Sequence, residues 1–133
     1  TEHSLMQQPT AAVQVLTQLQ QRGIQISIDD FGTGYSSLSY LQQYPIDILK
    51  IDRSFVQQLH QQEQNAAITK AIISLADALD IKTVAEGIEI EAERKALLAL
   101  GTPFGQGNLF SEPLDSATAT ALLVRQRQAS ENL

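Results

Sequence analysis

The 133-residue sequence contains no cysteine, so neither a disulfide framework nor a thiolate metal site can be built from it. Cations are scarce as well: 9 Lys and Arg stand against 15 Asp and Glu, giving a formal net charge of −6 and a pI near 4.7. A general nucleic-acid surface needs clustered Lys and Arg to neutralise phosphates, so no DNA partner is expected. A nucleotide ligand would have to be held by metal ions and a few well-placed cations. No apolar run approaches the roughly 20 residues of a membrane-spanning helix, and Thr1-Glu2-His3-Ser4 has none of the character of a signal peptide. These absences fit a cytoplasmic protein, with any membrane or sensor segment lying outside these residues. The two histidines, His3 and His60, are too isolated to form a ligand pair. What the chain does have is 43% hydrophobic residues against 18% charged ones, ample material for a packed core.

That material is arranged as four rounds of strand followed by helix, the pattern of a parallel sheet covered by helices. After Pro9-Thr10, the residues Ala12, Val13, Leu16 and Leu19 recur at helical spacing until Gly23. Ile24 to Ile28 alternates with period 2 as a first strand, with its three isoleucines on one face and Gln25, Ser27 and Asp29 on the other. Ser36 or Ser37 can cap a short helix through Leu41, which Pro45 closes off. Ile48 to Ile51 is the second strand, and Phe55 to Gln64 reads as a surface connection rich in Gln and His. Ile68, Ile72, Leu75 and Leu79 mark an amphipathic helix, followed by a third strand, Thr83 to Ala85, that ends at Glu86. Ile90 to Leu100 reads as a helix whose Glu-rich start complements its dipole, with Gly101 as its stop. Phe104 to Leu109 is the expected fourth strand, and Ser116 caps an expected last helix through about Arg127.

Asp29-Asp30-Phe31-Gly32-Thr33-Gly34 is the stretch richest in chemistry. Adjacent carboxylates repel each other and are costly to bury as anions unless a cation or a proton compensates them. At the C-terminal end of a barrel strand such a pair is placed to hold a divalent ion. A capping Asx turn is the other reading of the same dipeptide.

Read in order, Ile28 to Leu38, Leu49-Lys50-Ile51-Asp52-Arg53-Ser54-Phe55, Val84-Ala85-Glu86-Gly87-Ile88-Glu89, and Gln106-Gly107-Asn108-Leu109-Phe110 with Pro113-Leu114 resemble the C-terminal half of an EAL domain. EAL domains are the bacterial phosphodiesterases that hydrolyse cyclic di-GMP. The resemblance runs from Thr1 to about Leu123 and implies a single partial EAL domain over residues 1–133. Its fold class is α/β, four βα units forming the C-terminal half of a TIM-like (β/α)8 barrel. It further implies a two-metal Mg²⁺ or Mn²⁺ site, cyclic di-GMP as ligand, and a homodimer or other self-association.

By motif match, Asp29, Asp30 and Glu86 correspond to acids of the metal site, with Lys50 and Glu86 catalytic beside the attacking water and Gln106 contacting substrate. Phe31, Gly32, Thr33 and Gly34 resemble a loop that links metal binding to dimer contacts. Glu2 matches a glutamate supporting that loop, Glu89 is a second acid of its motif, and Asp52 shares the strand parity of Lys50 and would brace it. Taken alone, Glu86 could be a helix N-terminal charge, Lys50 a surface lysine, Gln106 part of a turn, and Glu2 and Glu89 solvated charges. The Glu-x-Leu signature that names the family is absent, together with two further residues of its metal shell. The chain is therefore expected to be a truncated piece that is inactive alone, from a parent that hydrolyses cyclic di-GMP. A degenerate domain that only binds cyclic di-GMP or a protein partner is the alternative.

Overall fold

The structure is a computed structural model describing residues 9–33, 38–102 and 104–131. Glu2, Gly34 and the capping positions Ser36 and Ser37 lie outside the described residues. The elements run α1 (Pro9–Gln21), β1 (Ser27–Phe31), α2 (Leu38–Gln43), β2 (Ile48–Ile51), α3 (Arg53–Val56), α4 (Glu63–Ala78), β3 (Lys82–Ala85), α5 (Glu91–Leu100), β4 (Phe104–Gly105) and α6 (Ser116–Glu131). The four strands form one parallel sheet in the order β1-β2-β3-β4, as βαβ units do when each crossover returns beside its predecessor.

The core lies on one face of that sheet. Leu49, Ile51 and Ala85 are fully buried there, and Phe31 nearly so, against Val56, Leu59, Ile72, Ile73, Ala76 and Leu97. The alternation that buries Leu49 and Ile51 turns Ile48 and Lys50 to the opposite face, which is only half-buried. One face thus holds the fold together, and the other carries the polar groups.

Four expectations from the sequence need correction. The first strand begins at Ser27, not Ile24. Ile24 is 48% exposed, and Ile26 is spent on the turn to β2, where its carbonyl accepts from the Asp47 and Ile48 amides and its own N–H donates to Asp47 Oδ2 at 2.7 Å. The connection from Phe55 to Gln64 is no mere surface strip: it opens within α3 and buries Val56 and Leu59. The fourth strand is only Phe104–Gly105, and α6 is capped by Asp115, whose Oδ1 accepts from the Thr118 amide at 2.8 Å. The second strand falls on Ile48–Ile51 as its apolar run requires, and Gly101 ends α5 in the left-handed conformation (φ 98°).

Candidate active site

The carboxylate pair is organised by a break in the sheet register. Ile28 pairs with Leu49 and Phe31 with Ile51, so Asp29 and Asp30 together face the single residue Lys50. This is a β-bulge, and Asp30 accommodates it at φ 53°, a left-handed conformation that aspartate tolerates better than most residues. In a regular strand neighbouring side chains point to opposite faces. Here the extra residue brings both carboxylates to one place: oxygens of Asp29, Asp30 and Glu86 lie within 4.8 Å of one another.

Lys50 enters this group from the middle of β2. Its ammonium donates to Asp29 Oδ1 at 2.9 Å and is in contact with Glu86 Oε1, and Gln106 Nε2 donates to the same Glu86 oxygen at 2.8 Å. The hydrogen bond with Glu86 above all, then that with Asp29, holds the Lys50 pKa above the ordinary lysine value against the opposing effect of desolvation. The same contact, led by the Lys50 hydrogen bond, holds the Asp29 carboxyl below the usual range. Glu86 is 14% exposed and Asp29 63%, so the cluster has a sheltered side and a solvent side. One ammonium against three carboxylates leaves a formal excess of negative charge. That excess and an all-oxygen donor set suit a hard divalent ion such as Mg²⁺ or Mn²⁺.

The segment after β3 is pinned by its backbone. The Glu86 amide donates to Ile51 O, the Gln106 amide to Ala85 O, and the Ile88 amide to Gln106 O. Gly87 is left-handed at φ 68°, with no room for a side chain: a Cβ there would lie 2.5 Å from Arg53 Cβ. A Cβ on Gly107 would meet the Ile88 backbone at 2.2 Å, which is why glycine flanks Gln106 where two chains cross so closely.

Asp29, Asp30, Lys50, Glu86 and Gln106 are therefore brought together, and among the other described residues named from the sequence, Asp52, Glu89, Phe31, Gly32 and Thr33 are engaged elsewhere. Asp52, expected to brace Lys50, caps α3 instead, accepting from the Ser54 amide at 2.9 Å and from its hydroxyl at 2.5 Å. Glu89 is exposed, and among the described residues its backbone amide alone is engaged, donating to Glu93 Oε2 at 3.0 Å. Phe31 is a core residue, Gly32 packs against the Phe55 ring, and Thr33 closes a turn onto Asp30 O. A cleft of about 360 Å³ lined by Asp77, Lys82, Thr83 and Phe104 lies at the N-terminal end of β3, away from Glu86 and outside this site. The sequence reading missed Glu93, which is 4% exposed and accepts three backbone hydrogen bonds. Its only signal was a glutamate at the third position of α5, which also reads as a generic charge at a helix start.

A parallel sheet packed by helices, with charged groups gathered at the C-terminal strand ends, is the architecture of an α/β barrel protein. The chain belongs to the EAL domain family, whose model, described as EAL domain, matches residues 1–113. The bifunctional diguanylate cyclase/cyclic di-GMP phosphodiesterase MucR of Pseudomonas aeruginosa is 46% identical over 114 residues, 86% of this chain and 17% of MucR. The EAL enzyme Bd1971 in its cAMP and cyclic-di-GMP bound form superposes with a TM-score of 0.84 at 47% identity, over 89% of this chain and 31% of that one. The EAL domain of Mycobacterium smegmatis DcpA gives 0.81 at 44% identity, over 85% of this chain and 51% of that one. The chain thus spans well under two thirds of each, and its four βα units are part of the TIM-barrel-like domain.

Proposed function

We propose that these residues form the C-terminal half of a metal-dependent cyclic di-GMP phosphodiesterase domain, in which water opens one phosphodiester of the ring to give the linear dinucleotide. The observation that carries this reading is the convergence of Asp29, Asp30 and Glu86 with Lys50 and Gln106 in a chain of this family. Asp29, Asp30 and Glu86 would hold the divalent ions. Two such ions supply charge neutralisation at the phosphoryl oxygens and activation of water. Lys50 adds a fixed positive charge where negative charge accumulates, and Gln106 orients Glu86 while its amide remains beside the substrate. The donor geometry is built before substrate arrives, which makes such contacts effective in a sheltered site.

No strand here carries the Glu-x-Leu signature, Glu112-Pro113-Leu114 lying in the connection before α6, so turnover belongs to the completed barrel and not to the 133 residues alone. The test is hydrolysis of cyclic di-GMP by the completed domain with Mg²⁺ or Mn²⁺, following the linear product by chromatography. Asp30→Asn should lower turnover by orders of magnitude, with partial recovery at high Mn²⁺. Saturable binding of cyclic di-GMP without any product would replace the enzyme reading by that of a receptor.

A further inference from the structure

The Glu93 carboxylate is 4% exposed and meets no cation: among the described residues its partners are backbone amides alone. Oε1 accepts from the Gln58 amide at 3.2 Å, and Oε2 accepts from the Glu89 and Ile90 amides at 3.0 and 3.3 Å. The bonds to Glu89 and Ile90 serve the start of α5, where N–H groups lack partners within the helix. The bond to Gln58 does not. Gln58 sits 35 residues earlier, in a left-handed conformation (φ 59°), at the end of the short α3 segment that follows β2.

The two segments joined at Glu93 are those that leave the site. One runs from Lys50 through the Asp52 cap and α3 to Gln58; the other runs from Glu86 through Gly87 and Ile88 to Ile90. Between them the sheet contributes the Glu86 amide bond to Ile51 O, and Gly87 lies against Arg53 with no space to spare. We propose that Glu93 is a positioning residue, a buried carboxylate that locks the segment after β2 to the segment after β3 and so fixes Glu86 against Lys50 and Gln106. The role rests on the phosphodiesterase reading for its consequence in turnover, but not for its structural content.

The two can be tested apart. In NMR spectra of the completed domain, Glu93→Ala should speed amide hydrogen exchange at Gln58, Glu89 and Ile90 about tenfold or more, and shift the Gln106 side-chain amide signals as its bond to Glu86 loosens. Glu93→Gln keeps one carbonyl acceptor and should fall between Glu93→Ala and the parent. A uniform rise in exchange across the sheet, with the Gln106 signals unmoved, would show a general loss of stability and overturn the proposal. In the completed domain, both variants should lower kcat about 10- to 100-fold, the usual effect of removing a supporting hydrogen bond behind a metal site. KM for cyclic di-GMP should stay within a few-fold, and an unchanged kcat would equally overturn the role. If the parent shows no turnover with any metal, the phosphodiesterase reading falls, and the exchange and Gln106 measurements still decide the role of Glu93.

Discussion

Lys50 sits between two opposing charges, and its raised pKa, due first to the Glu86 hydrogen bond, keeps it an ammonium through the neutral range. A lysine so held is a poor proton acceptor and a good fixed charge, which favours an electrostatic over a general-base role. Lys50→Met should accordingly lower kcat by about 100-fold or more, comparable to the loss of one preorganised donor, with a smaller change in KM. A rise in KM at constant kcat would mean that Lys50 binds the ground and transition states equally. A second residue-scale outcome concerns Gly87. Any side chain there meets Arg53 Cβ at 2.5 Å and must adopt φ 68°, so Gly87→Ala should destabilise by at least about 1–2 kcal/mol, read as a lower thermal midpoint. At this scale Asp29, Asp30, Lys50, Glu86 and Gln106 were legible as one group only through the order of the family motifs, because each taken alone also reads as a turn, a surface charge or a helix start. The direction of Asp30 was not, since strict alternation sends it away from Asp29 and only the bulge brings it back. Glu93 was hidden because its partners are backbone amides, which no side-chain pattern announces.

Between elements, Asp47 joins α1 to the start of the sheet. Its Oδ1 accepts from Gln20 Nε2 at 2.8 Å and its Oδ2 from the Ile26 amide at 2.7 Å, and these bonds, the Gln20 one first, lower its pKa. A carboxyl whose folded pKa lies below its unfolded value of about 3.9 stabilises the fold above that pH. The contribution is lost as pH falls through the folded pKa. Asp47→Ala should cost about 1 kcal/mol at neutral pH, and the gap to the parent protein should narrow as denaturation is measured at pH values below about 4. A gap independent of pH would mean that the side chain acts through packing and not through its charge. The bounds of β2 were read correctly at Ile48–Ile51, where Lys50 alone interrupts an apolar run, and other bounds were misplaced where backbone bonding decided. Ile24 and Ile26 have the alternation of a strand, but the Ile26 amide and carbonyl are taken by Asp47 and Ile48. The fourth strand was read as far as Leu109, whereas it ends at Gly105 and Gly107 lies against the Ile88 backbone. Helix α3 was missed because its stop and start depend on the Asp52 cap and on a left-handed Gln58.

Among the described residues the molecule is a four-stranded sheet with its core on one face and no strand beside either outer edge. Among the described residues, β1 pairs only with β2 and β4 only with β3, so each outer strand offers backbone donors and acceptors without a strand beside it. Large apolar side chains are exposed from β4 onward: Phe104 and Phe110, which line one cleft, are each 54% exposed, and Leu123 and Val124 of α6 are 64% and 51% exposed. Unpaired edges and contiguous apolar surface are features that folded proteins cover, by pairing, by a helix or by another chain. A net charge of −6 opposes association only over a Debye length of about 8 Å at physiological salt, and so weakly at a buried apolar contact. The isolated chain should therefore self-associate at micromolar concentration, edge to edge or with strand exchange, and sedimentation should show the weight-average mass rising with concentration. The complementary half of the barrel, supplied as a separate polypeptide, should compete with this association because it covers the same edges. Two copies of this chain bring the same acids twice and no strand bearing the Glu-x-Leu signature, so the associated form should remain without cyclic di-GMP turnover while the reconstituted barrel gains it. A stable monomer across the concentration range would remove the edge argument, and metal-dependent turnover by the chain alone would show that Asp29, Asp30 and Glu86 suffice for the site.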